Sequence, residues 1–515
     1  MSSELKLEAG YASQIEAVLN HGVGDKATNM EFMYDDQDAI ERKMISSGDG
    51  KHTLVPQPSE DPDDPLNWSS VKKHSILLTV AAASFLPNYG SATGAAVLEA
   101  QSIAWGMTVD EVNHSQSGNV FMVGAGGIFV VVLSAYFGRL PVLFWFTALT
   151  CATAIWCTAA TTFKSFMAAR ILNGFFSSVG EAGGLMFIKD MFFFHEHARK
   201  INIWASLVIL SPYLGPMFSA FITIKLKWQW AFAIYSIMSG LCLLAIVLFG
   251  DETYYDRTIP RSEQPPRGSQ LMRLVGISQW RSRKQRSTFA QAVARPFVMI
   301  IRLPIVIAFT SYVFSFAWVI GINTTISIFL GSVYDFGQRQ IGLFYFTPII
   351  ALILSDVSGH WAHNYIATIY TRLNSGQFHA EGRLGAMWLA MPLQVAGLVV
   401  LGFALQHQWH YLLAALGWGM YVFGIMFNTV AITAYCLDSY PEASGETNAW
   451  LSFARTLGGF VISYFQIEWV NTMGAVKTFG TQAGLCVFAF MLVVGLQVWG
   501  KKLRELSGHP NFQTS

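Results

Sequence analysis

Apolar residues fill this chain in long, uninterrupted blocks. No Asp, Glu, Lys or Arg occurs between Leu384 and Leu437, and the stretches His74–Leu98, Val112–Gly138, Leu140–Phe163, Ile201–Ile224, Trp228–Gly250, Leu303–Tyr334 and Thr478–Gly500 are equally free of charge. A helix needs ~20 mainly apolar residues to cross a bilayer, and hydrocarbon forces backbone N–H and C=O groups to pair within the segment. These blocks are too long for soluble core helices and lack the ten-residue alternation of a membrane barrel. The pattern predicts twelve spanning helices at roughly 75–97, 116–136, 141–161, 165–188, 203–224, 229–249, 303–331, 341–360, 384–405, 409–436, 449–472 and 479–499.

Composition agrees with lipid as the main solvent. The 515 residues are 53% hydrophobic and 13% charged, about half the charge of a soluble domain. Lys and Arg total 33 against 32 Asp and Glu, which removes any general electrostatic case for nucleic acid. Basic residues near the span ends orient the chain. With the N-terminus inside, one side collects Lys72, Lys73, Arg139, Lys189, Arg199, Lys200, Arg372, Arg383, Lys501, Lys502 and Arg504, plus ten cations between residues 251 and 302; the other gets Lys164, Lys225, Lys227, Arg339 and Lys477. Both termini are then expected in the cytoplasm. The resulting domains are a largely disordered polar tail (1–72), a six-helix bundle (73–250), a basic cytoplasmic linker (251–302), a second six-helix bundle (303–500) and a short cytoplasmic tail (501–515). No cleavable signal pattern precedes the first apolar run. The five cysteines lie in spans or at their ends and read as packing residues. Asn113-His114-Ser115 is a glycosylation sequon close to a span.

The two halves echo each other. Leu133-Ser134-Ala135-Tyr136-Phe137-Gly138-Arg139 and Leu354-Ser355-Asp356-Val357-Ser358-Gly359-His360 share the frame Leu-Ser-x-x-x-Gly-basic at the expected ends of helices 2 and 8. Asp190 before Asn202-Ile203-Trp204 is matched by Asp438 before Asn448-Ala449-Trp450. Repeated bundles around a midplane site are the usual build of secondary transporters. A channel would favour a pore with a filter, and no filter-like segment is present.

Further motifs carry a family resemblance. Asp61-Pro62-Asp63-Asp64-Pro65-Leu66-Asn67-Trp68-Ser69 precedes helix 1, Gly138-Arg139-Leu140-Pro141-Val142 joins helices 2 and 3, Arg170-Ile171-Leu172-Asn173-Gly174 opens helix 4, and Ser211-Pro212-Tyr213-Leu214-Gly215-Pro216 lies in helix 5. Over residues 61–505 the chain resembles the major facilitator superfamily, and within it the fungal drug/proton-antiporter-like branch. The resemblance implies an all-α membrane protein of twelve transmembrane helices in two pseudo-symmetric six-helix bundles, and a helix-packing role for Gly215 and Pro216. The family's first-half loop motif usually has Asp where this chain has Ala135, and a second basic residue where it has Leu140.

Charge inside a span marks the candidate chemistry, because a carboxylate at a helix centre costs ~2.5–3.5 kcal/mol on insertion scales. Glu181, in Gly180-Glu181-Ala182-Gly183-Gly184, is the leading proton carrier or cation ligand; the bland alternative is a structural ion pair. Arg170 lies eleven residues earlier, ~16 Å along the axis, too far for a direct pair. The resemblance gives it a supporting role in proton transfer, against plain snorkelling at the outer interface. Arg139, Asp190, Arg199, Asp356, Asp438 and Arg455 fall near inner span ends and suit a gate, with Asp356 expected to meet the start of helix 5 beside Arg199 and Lys200. Ala135 cannot make the mirror contact, so a lopsided gate is expected. Asn88, Tyr89, Tyr213, Trp318, Asn323, Tyr345, Asn428, Tyr464 and Gln466 are candidate cavity-lining residues.

Enzyme signatures are missing. There is no Walker A loop, and the histidines of His195-Glu196-His197 are two apart, so they cannot share a helix face as zinc ligands. The sequence therefore predicts a monomeric, cofactor-free, proton-coupled secondary transporter of a small organic molecule, working by alternating access and resembling an efflux pump for drugs or secondary metabolites. Uptake of organic cations such as polyamines, a non-transporting membrane sensor or scaffold, and a channel are the alternatives. The plasma membrane is the expected location, the vacuolar membrane the alternative.

Overall fold

A computed structural model describes residues 56–257, 261–264, 266–282, 288–373, 379–440 and 443–508. The described elements are helical, with six long helices on either side of the 251–302 segment. They are α1 Ser70–Ala92, α2 Val109–Phe137, α3 Arg139–Ala159, α4 Phe163–Met191 (interrupted at Ser178), α5 Phe194–Thr223, α6 Gln229–Phe249, α7 Leu303–Tyr334, α8 Gln338–Leu373 (interrupted at Tyr345), α9 Met387–Gln406, α10 Tyr411–Ser439, α11 Ser444–Ser463 and α12 Ala475–Ser507. Ten helices among the described residues are long and apolar enough to cross a membrane. The other two of the series, α1 and α11, are the more polar ones: α1 opens with Lys72 and Lys73, and α11 carries Glu446 and Arg455.

The helix pairings give the architecture. In the first half α1 packs on α5 and α6, α2 on α4, α3 on α4 and α6; in the second half α7 packs on α11 and α12, α8 on α10, α9 on α10 and α12. Each pair in one half recurs in the other, shifted by six helices. The two largest contacts between the halves, α2 with α11 and α5 with α8, exchange under the same shift, and α4 also meets α11. The seam between the halves is thus built from α1, α2, α4 and α5 on one side and α7, α8, α10 and α11 on the other.

Small residues let the helices approach. A Cβ on Gly180 of α4 would lie 2.2 Å from the carbonyl of Ala83 in α1. That carbonyl is available because Pro87, four residues on, has no N–H to offer it. Gly215 sits in the same way against Tyr89 and Thr93 of α1, and Gly458 and Gly459 against Val313, Ala317 and Ile320 of α7. Glycine at these positions provides the close packing on which membrane helix association rests.

The 251–302 segment folds back on the bundles at one end of the molecule, here the linker face. Asp251 receives Lys72, Arg267 and Arg273 at 2.5–3.1 Å. Asp64, wholly buried, caps the turn Pro65–Asn67 and accepts two hydrogen bonds from Arg257 at 2.9 and 3.2 Å. Lys72 and Arg267 also lie over the Trp68 ring. Residues 56–69, expected within a disordered tail, are therefore folded onto the linker; residues 1–55 lie outside the described residues. Downstream, the linker helix Phe289–Ile300 packs on both α2 and α11, with Arg295 paired to Glu446 at 2.8 Å and Trp450 donating to the Pro296 carbonyl.

Two element boundaries differ from expectation. Helix 8 runs on to Leu373 instead of closing near His360. Helix 11 stops at Ser463, and a separate short helix, Gln466–Met473, follows. Asn113 is fully buried and donates to the Ser463 carbonyl at 3.1 Å, so the sequon is closed to glycosylation in this arrangement.

Two outcomes follow. Gly180→Leu overpacks the α1–α4 contact and should destabilise the purified protein by roughly 1–3 kcal/mol or more, read as a lower thermal midpoint; Gly480→Leu, where a Cβ meets nothing within 4 Å, should leave the midpoint unchanged. Burial raises the Asp64 and Asp251 carboxyls, but the arginines and Lys72 outweigh it and hold both below their ordinary value of 3.8. A depressed folded value stabilises above the unfolded pKa and is lost as pH falls through the folded one. Protease cleavage within 251–275 should therefore rise as pH drops below about 4, and Asp64→Asn should weaken that pH dependence.

Candidate transport site

Glu181 lies within α4, three residues after Ser178, a slight irregularity that keeps helical backbone angles. Glu181 is buried at 3% exposure and forms an ion pair with Arg455 of α11. Asn88 of α1 donates to its Oε2 at 2.8 Å and Ser452 of α11 to its Oε1 at 3.0 Å. Asn448 donates to the Glu181 backbone carbonyl at 3.4 Å. Arg455 also contacts the Ser452 hydroxyl and lies over the Phe316 ring of α7. Three donors on one buried carboxylate suit its ionised form.

A cavity of about 70 Å³ adjoins this pair. Its lining includes Trp204 of α5, Tyr312 of α7, Thr429 and Thr433 of α10, and Asn448 and Ser452 of α11. Tyr312 donates to Thr429 at 3.1 Å, and Trp204 donates to the Gly180 carbonyl, fixing α5 against α4. Both halves thus contribute walls. The volume is far below the ~300–1,000 Å³ of a drug-sized site, so the halves must separate before an organic solute of that size can enter.

Towards the face opposite the linker, the seam is closed by direct bonds. Asn113 of α2 reaches Ser463, Ser327 of α7 donates to the Ala95 carbonyl at 2.6 Å, and Asn323 of α7 donates to the Pro212 carbonyl at 3.0 Å. The last acceptor exists because Pro216 lacks the N–H that would otherwise bond Pro212. Sequence pattern alone does not reveal that Pro216 frees an acceptor for the opposite half.

The candidate cavity residues separate into groups. Asn88 joins Glu181. Tyr213, Asn323 and Tyr345 assemble elsewhere on the seam, with both tyrosine rings edge-on to Trp418 and the Tyr345 hydroxyl on the Asn323 carbonyl. Tyr89 stays within the first half against Phe85 and Tyr235. Trp318 and Asn428 are buried in the second half, and Gln466 is buried at the start of its short helix; none of the three lines the 70 Å³ cavity. Tyr464 is partly exposed and stacks on His114. Arg170 does not snorkel: it is buried and donates to the Gly90 and Ser91 carbonyls at 2.6 and 2.8 Å, tying α4 to α1.

The gate residues need correction. Arg139 pairs with Asp190 at 2.7 Å and Arg383 with Asp438 at 2.9 Å. These are the same α3–α4 and α9–α10 contact in each half, so they brace the halves internally instead of zipping one to the other, and the charge pairing is not lopsided. Lys189 of α4 and Asp438 of α10 add a weaker electrostatic attraction across the seam. Asp356 is exposed and takes part in no ion pair among the described residues, because α8 continues past it and leaves it on an outward face beside exposed Leu354 and Val357. Arg199 is exposed as well, and Lys200 instead meets His74 at 2.7 Å. Arg455, expected at the inner end, sits at the centre.

Asn448, Ser452, Tyr312 and Thr429 join the site beyond the candidates expected from the sequence, whereas Arg455 was among those candidates. Asn448, Ser452 and Arg455 fall at i, i+4 and i+7, a polar stripe on one face of α11 that helical periodicity exposes. Tyr312 and Thr429 are isolated hydroxyls in charge-free runs and carry no such signal.

The sequence pattern of the Major Facilitator Superfamily matches residues 76–463. Among curated proteins, the chain is 26% identical over 417 residues to "MFS transporter fsa7" of Fusarium sp. (strain FN080326), covering 78% of this chain and 80% of that one. It is 22% identical over 467 residues to "Efflux pump radE" of Floropilus chiversii, covering 88% and 84%. Among solved structures, the proton:xylose symporter XylE of E. coli superposes with a TM-score of 0.59 at 15% identity, covering 84% of this chain and 97% of that one; at that identity the likeness is one of fold.

Removing one partner of a buried ion pair costs ~3–5 kcal/mol because the other is left uncompensated. Arg455→Gln should therefore lower the thermal midpoint sharply, and adding Glu181→Gln to it should recover most of the loss. A double variant as unstable as the single one would mean that the two side chains are not energetically coupled.

Proposed function

Since the chain belongs to the Major Facilitator Superfamily, a family of membrane transporters and not of enzymes, we propose that it is a proton-coupled secondary active transporter of a small organic molecule. Residues 73–250 and 303–500 are the two bundles that rock, 251–302 is the connection between them, and the fungal relative named as an efflux pump supports export of drugs or secondary metabolites as the direction. The basic linker face is the cytoplasmic one by the positive-inside rule, with both termini on it. The expected setting is the plasma membrane, with the vacuolar membrane as the alternative, and a single chain as the working unit.

The observation that carries this reading is the Glu181–Arg455 pair between α4 and α11. Parting the halves at the linker face pulls these helices apart. An ionised Glu181 would then lose its cation inside the membrane, at several kcal/mol. A proton on Glu181 removes the carboxylate's share of that penalty, leaves Arg455 to the Ser452 hydroxyl, the Phe316 ring and the water that enters, and lets the cavity enlarge. Deprotonation restores the attraction and closes the linker side. Solute and proton are coupled because both bind in the separated state at Glu181, so that one displaces the other. Arg139–Asp190 and Arg383–Asp438 keep each half rigid while this happens.

Polyamine uptake is less well supported. The cavity carries one carboxylate and one guanidinium, so it offers no net negative charge to an organic cation unless Arg455 is displaced. In proteoliposomes with an imposed pH gradient, Glu181→Gln should abolish gradient-driven accumulation while counterflow exchange persists within about an order of magnitude. Unchanged gradient-driven flux in that variant would remove Glu181 from proton coupling, and loss of exchange as well would point to a structural role.

A further inference from the structure

A second cavity lies away from the seam. It is an open groove of about 430 Å³ between the end of α2, the start of α3 and the linker, walled by Phe137, Pro141, Trp145, Val275, Ile277 and Trp280. The linker is held there by specific contacts. Trp145 donates to the Val275 carbonyl at 3.2 Å, Phe137 stacks nearly parallel on Trp280, and Gly276, at φ +99°, brings the chain close to Pro141.

An apolar groove of this size facing water would be unfavourable, but its rim has the character of a membrane boundary. Trp145 and Trp280 are about half exposed, as aromatic side chains at the headgroup level are. Exposed Leu271, Phe289, Phe297 and Ile301 continue the apolar surface along the linker. Arg281, next to Trp280, is exposed. The 251–302 segment as a whole carries ten basic against four acidic residues, a net +6. Apolar walls beside the exposed Arg281 match an anionic amphiphile, and the leaflet on this side supplies one.

We propose that this groove is a lipid site holding an acyl chain of an anionic phospholipid, with Arg281 facing the phosphate. The lipid fills the wedge between the first bundle and the linker, so it couples leaflet composition to linker seating.

The test uses the purified full-length protein in detergent, titrated with dioleoyl phosphatidylserine or dioleoyl phosphatidylcholine while the thermal midpoint is followed. Each basic residue near an anionic surface is worth about fivefold in binding. Phosphatidylserine should thus stabilise at lower concentration than phosphatidylcholine by at least that factor. Arg281→Gln should cut the preference about fivefold, and Ile277→Trp, which fills the groove, should blunt the response to both lipids. Should Ile277→Trp fail to fold, acyl-brominated phosphatidylserine provides the second readout: its quenching of tryptophan fluorescence should shrink in a Trp145→Phe/Trp280→Phe protein. Equal stabilisation of the wild type by the two lipids, or an equal effect of the headgroup glycerophosphoserine without chains, would overturn the proposal. So would brominated-lipid quenching that does not depend on Trp145 and Trp280.

Discussion

A carboxylate and a guanidinium buried together between two helix bundles constrain everything else in this molecule. Neither can be exposed to hydrocarbon alone, and each is fixed to a different half: Glu181 on α4 and Arg455 on α11. The backbone prepares for them. Pro87 frees a carbonyl on α1 where Gly180 lets α4 approach, and the next residue, Asn88, then reaches Glu181. Packing, backbone polarity and charge thus converge on one point of the seam.

Away from that point the two halves solve one problem twice. The same helix pairings, and the same Arg–Asp brace between the third and fourth helices of each half, recur after a shift of six. The braces lie within halves and the Glu181–Arg455 bond lies between them. That division suits bodies that move as units: the braces stay within each half, and a separation of the halves would part only the Glu181–Arg455 pair among these three. Proline adds a second kind of seam bond, as at Pro212, where a carbonyl orphaned by Pro216 accepts from Asn323 of the opposite half.

Much of this was legible in the chain. Charge-free blocks gave the span positions, and Glu181 stood out within a span because an unpaired charge there is costly. Other features depended on tertiary geometry. Nothing local distinguishes Arg455, which meets Glu181, from Arg199, which is exposed; only the polar stripe with Asn448 and Ser452 hints at the difference. Asp356 was misjudged because its motif resembles the end of helix 2, where Gly138 at φ +94° turns the chain at once into α3. Gly359 sits in a helix that simply continues. The aromatic candidates illustrate the same limit: ring chemistry is readable, but which of Tyr89, Tyr213 and Tyr464 faces the seam depends on helix rotation.

That continuation of α8 has a mechanical meaning. Its stretch Phe346–Leu373 is 28 residues, ~42 Å at 1.5 Å per residue, against ~30 Å of hydrocarbon. The far end of such a rod stands clear of the bilayer, and a pivot of only ~10° about its other end would sweep it sideways by roughly 7 Å, simple trigonometry on that length. In the first half the chain turns into α3 at Gly138, the position matching Gly359, so only α8 carries its helix on past that glycine, to Leu373, and the same rocking motion would register on the aqueous side chiefly through the second half.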